Sequence, residues 1–257
     1  LAVADTERSV DYADRSGDAF WRMGLRTTLA DALHQQGKQE AARRGFAEAE
    51  IMQAKCQPKY PLLYSLQGFQ YCELLLADAE RAAWTGPVAA NDSEACAQVA
   101  KRAAHTLKWI EAKDRLLDVA LGHLTLARST LYADLLHGYA PSKETQQHTE
   151  AAVIGLRQAN HQENLPRGLL TRAWLRHCLH DLPGAQADLA EAQRIAERGS
   201  MKLHLADIAL TRARLFKDKA ELAKARKLIE ECGYERRREE LTDAEARLNS
   251  AIAPTRD

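Results

Sequence analysis

The stretch "LADALHQQGKQEAARRGFAEAE", Leu29 to Glu50, decides how the rest of the chain is read, because its skeleton returns at Ala173 to Gln193 as "AWLRHCLHDLPGAQADLAEAQ". With Ala30 laid on Ala173, His34 meets His177, Ala42 meets Ala185, Phe46 meets Leu189, and "AEAE" meets "AEAQ". Two helices packed as an antiparallel hairpin need small residues where the backbones approach and large ones where gaps must be filled. Ala30, Ala42 and Ala49 supply the first kind, and Leu33 and Phe46 the second. Ala173, Ala185 and Ala192, with Leu189 as filler, repeat the scheme. Each such hairpin leaves an apolar face that only a neighbouring hairpin can cover, so units of this kind come in stacks.

Outward from these two stretches the pattern stays helical. Apolar residues recur at spacings of three and four from Arg22 to Glu50, Leu62 to Trp84, Glu94 to His137, Glu144 to Ala159, Arg167 to Glu197 and Leu203 to Glu231. Alanine and leucine, both strong helix formers, dominate these segments, and the β-branched and aromatic clusters that strands favour are missing. Between segments lie breakers: Gly37, "QPKYP", "TGPVAANDSE", "GYAPSKE", "NHQENLP", "DLPG" and "RGS". Gly138 and Gly199 suit C-terminal caps, and Asp92 or Ser93, Ser142 and Asn164 suit N-caps. Within Glu94 to His137 a boundary is expected near "EAKDR", with Asp114 capping the second helix.

Composition bounds the function. The 257 residues are 46% hydrophobic and 28% charged, which describes a soluble chain with a sizeable core. Lys plus Arg and Asp plus Glu each total 36, so no global field draws the chain to nucleic acid or to an anionic membrane. No apolar run approaches the roughly 20 residues needed to cross a bilayer. Five scattered cysteines without a CxxC pair fit reduced thiols in a cytoplasmic protein better than a disulfide framework or a zinc ribbon. The opening "LAVADTERSVDYADRSGD" has neither a signal-peptide pattern nor an initiator methionine, so residues 1–18 are expected to be a linker or leading segment of a longer polypeptide. At the other end, residues 233–257 hold a strongly charged helix with few apolar positions, Leu241 and Leu248 among them, expected to cap the array at 19–232.

This pattern resembles the tetratricopeptide repeat, a helical hairpin of about 34 residues that stacks into a right-handed superhelix. The resemblance rests on Leu29, Ala30, Leu33, Gly37, Ala42, Phe46 and Ala49, on Ala173, Ala185, Leu189 and Ala192, on Gly68 with Tyr71, and on Ala213, Phe216, Ala225 and Ile229. Departures are the missing tryptophan, Arg176 at a position expected to be apolar, and unequal intervals that imply long helices or insertions. More loosely, "YPLLYSLQGFQYCELLL", "LLDVALGHLTLARSTLY" and "ARKLIEECGYERRREEL" resemble arrays that follow effector or nucleotide-binding domains in large bacterial signalling and defence proteins. What the resemblance implies is an all-α solenoid, elongated and curved, whose first helices line a concave groove. In that register Asp31, His34, Phe69, Arg128, Tyr132, Trp174, His177 and Arg214 point into the groove.

Chemistry other than binding finds little support. His177 and His180 lie three apart beside Cys178, but no second ligand pair of matching spacing exists to complete a metal site. No Gly-x-Ser-x-Gly elbow, Cys-Gly-Ser-Cys stretch, Gly-x-Gly-x-x-Gly or P-loop is present. The basic runs "AARRG" and "ERRREE" carry or adjoin acid and read as solvated helix faces. The expectation is therefore a non-catalytic module without cofactor or metal, binding a protein or peptide with acidic and apolar side chains. The alternative is a ligand-sensing regulatory segment that restrains an ATPase or protease domain of the same polypeptide.

Overall fold

The structure is a computed structural model that describes residues 2–86, 90–111 and 115–250, of residues 90 and 91 the backbone alone. Among them are thirteen α-helices and no strand: α1 Ala2–Ser16, α2 Ala19–Gln35, α3 Gln39–Cys56, α4 Ser65–Leu75, α5 Ala77–Thr85, α6 Ala90–Glu111, α7 Leu116–Leu136, α8 Lys143–Gln158, α9 Leu165–Cys178, α10 Leu182–Arg198, α11 Lys202–Phe216, α12 Lys219–Cys232 and α13 Arg238–Ser250. A 3-10 turn, Glu235–Arg237, leads into α13.

Punctuation explains most boundaries. Gly37 at φ +77° turns the chain from α2 into α3, and Gly233 at φ +61° ends α12. Ser142 caps α8 by accepting from the Thr145 amide, and Asp181 caps α10 by accepting from the Gly184 amide. The boundary expected near "EAKDR" falls between Glu111 and Leu116; the Asp114 cap lies outside the described residues. Other expectations need correcting. The helix α6 is already formed at Ala90, so neither Asp92 nor Ser93 caps it. Asn164 sits at the start of α9, but its side chain faces the His161 ring and accepts no amide proton. Gly199 is the C-cap of α10, as expected, but at φ −85°, and the left-handed turn falls on Ser200, at φ +53°. The segment Leu203 to Glu231 breaks at Lys217, φ +55°, where Asp218 accepts from the amides of Ala220 and Glu221 to start α12. Residues 1–18, expected as a linker or leading segment, are helical from Ala2 to Ser16 and pack on α2.

Consecutive helices pair as α2–α3, α6–α7, α7–α8, α9–α10 and α11–α12. Small residues sit at the approaches: a Cβ on Gly45 would stand 3.1 Å from that of Ala30, and one on Gly155 would stand 2.8 Å from that of Ala120. Ala30, Ala42, Phe46, Ala173, Ala185 and Leu189, the positions aligned at the outset, are all fully buried. Gly68 is required for another reason, since its Cβ would strike the Leu63 carbonyl oxygen at 2.5 Å.

The first helices follow one another in a circuit. Helix α2 packs on α4, α4 and α5 on α7, α7 on α9, α9 on α11, and α11 on α13. The 3-10 turn before α13 then returns to α2, where Glu235 lies against Gly37. Arg81 of α5 reaches Asp243 at 2.6 Å and also pairs with Glu239, while Arg247 donates to the carbonyls of Trp84 and Thr85. The array is therefore closed rather than elongated. The segment expected to cap its end packs on α11 and α12 and, through the 3-10 turn, also reaches α2.

Candidate functional site

Closure encloses a cavity of about 510 Å³ whose walls come from α2, α4, α5, α7, α9, α11, the 3-10 turn and adjoining loops. No residue of α3, α6, α8, α10 or α12 lines it. Five of the residues expected in a groove meet here: Asp31, Arg128, Tyr132, Trp174 and Arg214. The other three do not line the cavity. Phe69 is buried beneath it, with the guanidinium groups of Arg128 and Arg167 over its ring at 5.5 and 5.6 Å. His34 is wholly buried, and His177 stands outside, edge-on to Phe216 at 5.8 Å.

One wall is aromatic. Trp84 and Trp174 stack at 3.7 Å with planes 11° apart, Tyr132 adjoins Trp174 at 5.5 Å, and the Arg214 guanidinium lies 4.8 Å from the Trp84 ring centre. Stacking of this kind combines a large apolar area with cation–π attraction.

Adjoining it, one turn away on α5 and α7, is a buried ion-pair network centred on Glu73. Its carboxylate takes Arg128 at 2.6 Å and Arg167, with Arg236 at 4.0 Å. Glu80 takes Arg236 at 3.5 Å and Arg237 at 3.0 Å, and Asp207 takes Arg237 at 2.8 Å. Burial pushes the Glu73 carboxyl up, but Arg167, Arg128 and Arg236 outweigh it and hold the group well below the usual carboxylate range. Asp31 has no such excess of cations: burial raises its carboxyl, which accepts from Gln35 at 2.9 Å and Gln70 at 3.2 Å. The His34 ring is pushed down to about 2 by burial and by Arg236, so it is neutral.

Three donors or donor-capable atoms around the cavity have no protein partner: Arg167 Nε, Arg236 Nε and His204 Nδ1. Leaving such a group buried and unmatched costs about 1–3 kcal/mol. Among the described residues no group of three or more His, Cys, Asp or Glu side chains could hold a metal ion. The thiols of Cys72, Cys96 and Cys178 are all raised by burial, to about 11 or 12, and so stay protonated.

Sequence reading missed the network. Arg236 and Arg237 belong to "ERRREE", read as a solvated face, yet both are buried. Glu73 and Trp84 carried no signal in the repeat pattern. A signal was available for Arg236 and Arg237: they fall immediately after Gly233, where the left-handed turn redirects the chain inward. Among the described residues no helix is long and apolar enough to cross a membrane. No protein-family model matches the chain, and no curated protein or solved structure is significantly similar to it.

Proposed function

We propose that the chain is a non-catalytic binding module, a tetratricopeptide-like right-handed superhelix closed on itself, that receives a peptide or protein segment with acidic and apolar side chains in its central cavity. The observation that carries this reading is the meeting of the Arg128, Arg167, Arg214 and Arg236 guanidinium groups with the Trp84–Trp174 stack in one cavity. An acidic side chain or a backbone carbonyl satisfies the first, and an apolar side chain packs on the second. The cavity volume, about 510 Å³, lies within the roughly 300–1,000 Å³ typical of ligand pockets and holds a few residues at a time. Short acidic–apolar peptides are expected to raise the melting temperature and to change the tryptophan fluorescence. Thr211→Trp, at a half-buried lining position, fills the cavity while leaving the ion pairs in place. If that variant keeps the response to peptide, the cavity is not the binding site.

A second reading, a ligand-sensing regulatory segment of a larger bacterial signalling or defence ATPase or protease, draws on the polar closure of the ring. An occupant that reorders Arg236 would alter the junction of the first and last hairpins and pass the change to neighbouring domains of the same polypeptide. Controlled loosening of Arg81–Asp243 on adding ligand, read by hydrogen exchange, distinguishes it from passive binding.

A further inference from the structure

A second concave surface lies on the face carried by α3 and α6, which contributes nothing to the central cavity. It is a groove of about 740 Å³ floored by Leu62, Leu75 and Val99. Its rim carries Arg43, Lys101 and Lys108. None of the residues lining it is acidic. Arg102 at its edge is neutralised by Glu50, but no ion pair or hydrogen bond engages the side chains of Arg43, Lys101 or Lys108 among the described residues. In a chain whose charges balance at 36 and 36, three unpaired cations around an apolar floor form a local field with one sign.

We propose that this groove docks an acidic amphipathic helix of a partner protein. From Ala95 to Lys108 the groove follows α6 for about 20 Å, the length of three to four helical turns. A helix laid there places an apolar stripe on Leu62, Leu75 and Val99 and carboxylates beside Arg43, Lys101 and Lys108, which is the pattern of helix-in-groove recognition. A phosphodiester backbone would find the cations but leave the apolar floor uncovered. Trp109 does not line the groove and packs edge-on with His105 at 4.8 Å and Tyr60 at 5.3 Å.

The test is a selection from displayed helix-forming peptides of about 16 residues, enriched on the wild-type protein alone and then titrated against it and against the triple variant Arg43→Glu, Lys101→Glu, Lys108→Glu. Lys101 and Lys108 are exposed and Arg43 is half-buried, so retained circular dichroism and melting serve as the folding control. Expected survivors carry Asp or Glu flanking apolar residues at helical spacing, weaken with salt, and lose at least about tenfold in affinity on the triple variant. The proposal is overturned by no enrichment, by survivors that bind the triple variant equally well, or by an oligothymidylate strand that binds where peptides do not. Blocking the central cavity with Thr211→Trp should leave these peptides bound, so the two sites fail or stand separately.

Discussion

The interface within the α9–α10 hairpin and the interface that closes the ring are built from different materials. Between α9 and α10 lie Ala173, Ala185, Leu189 and Ala192, all fully buried in one apolar cluster that extends from α4 to α11. At the junction of the last and first hairpins the apolar clusters stop. The cluster of α11, α12 and α13 and the cluster of α2, α3 and α4 share no member; Arg236 pairs with Glu73 of α4, and Arg81, Arg237 and Arg247 tie the 3-10 turn and α13 to α5. Apolar packing is non-directional and tolerates small shifts, whereas a buried guanidinium stays stable only with its carboxylates in place. Hairpin pairing sets the architecture, and the ionic junction sets one particular closure of it.

The largest expected effect comes from breaking the junction at its centre. Glu73→Ala strands Arg128, Arg167 and Arg236 without their shared carboxylate and should cost about 3–5 kcal/mol in denaturant unfolding. If it costs less than an ordinary surface change, the ionic closure contributes nothing and the contrast collapses.

Acid should act on the same junction. His34 is neutral when folded, with its value held near 2 against an ordinary value near 6.5. The unfolded chain therefore takes up the proton first. The contribution is fully present above pH 6.5 and declines by about 1.4 kcal/mol per unit as pH falls below it. Glu73, depressed by its arginines, adds to the loss at lower pH, while Asp31, raised by burial, works in the opposite sense. The difference in unfolding free energy between wild type and His34→Leu isolates the histidine. A parallel pH dependence in the two proteins would remove His34 from the account.

The apolar side of the comparison is tested by overpacking. Ala42→Leu or Ala185→Leu forces three additional heavy atoms into fully buried crossings and should cost about 1–3 kcal/mol, with no dependence on salt. An unchanged melting temperature in both would mean that these alanines do not set the helix spacing.

The smallest effect is at the rim of the junction. Arg81 is more than a third exposed, so Arg81→Ala should cost about 1 kcal/mol or less, and less again in high salt. Amide exchange should nevertheless rise in α13 before it rises in α9, since α13 loses an anchor that α9 never had.

How much of this could be seen in the sequence follows from the distance over which each force acts. The α2–α3 and α9–α10 hairpins were readable because their small residues, fillers and turns are close in the chain and repeat. The break at Lys217 was not, because a lysine in the left-handed region leaves no glycine or proline to mark it. The network around Glu73 was hidden for a different reason: Arg236 lies more than 150 residues from both Glu73 and Glu80, and a charged run looks solvated until its partners are known. Five of the residues expected in a groove share the cavity because they occupy the inward face of first helices. His34 and His177 fall outside the cavity because matched positions on two helices need not meet the same neighbours.

Closure also fixes the number of units. A linear stack can gain or lose a hairpin and keep every other interface, so its length is free to drift in evolution. Here the contact of Glu235 with Gly37, and of Arg247 with the Trp84 and Thr85 carbonyls, requires the circuit of first helices to come back to its origin. Removing α9 and α10 would leave Arg81 and Asp243 unable to meet without bending every remaining joint. Insertions are therefore confined to loops and tails, and the count of hairpins is set as firmly as the number of blades in a propeller.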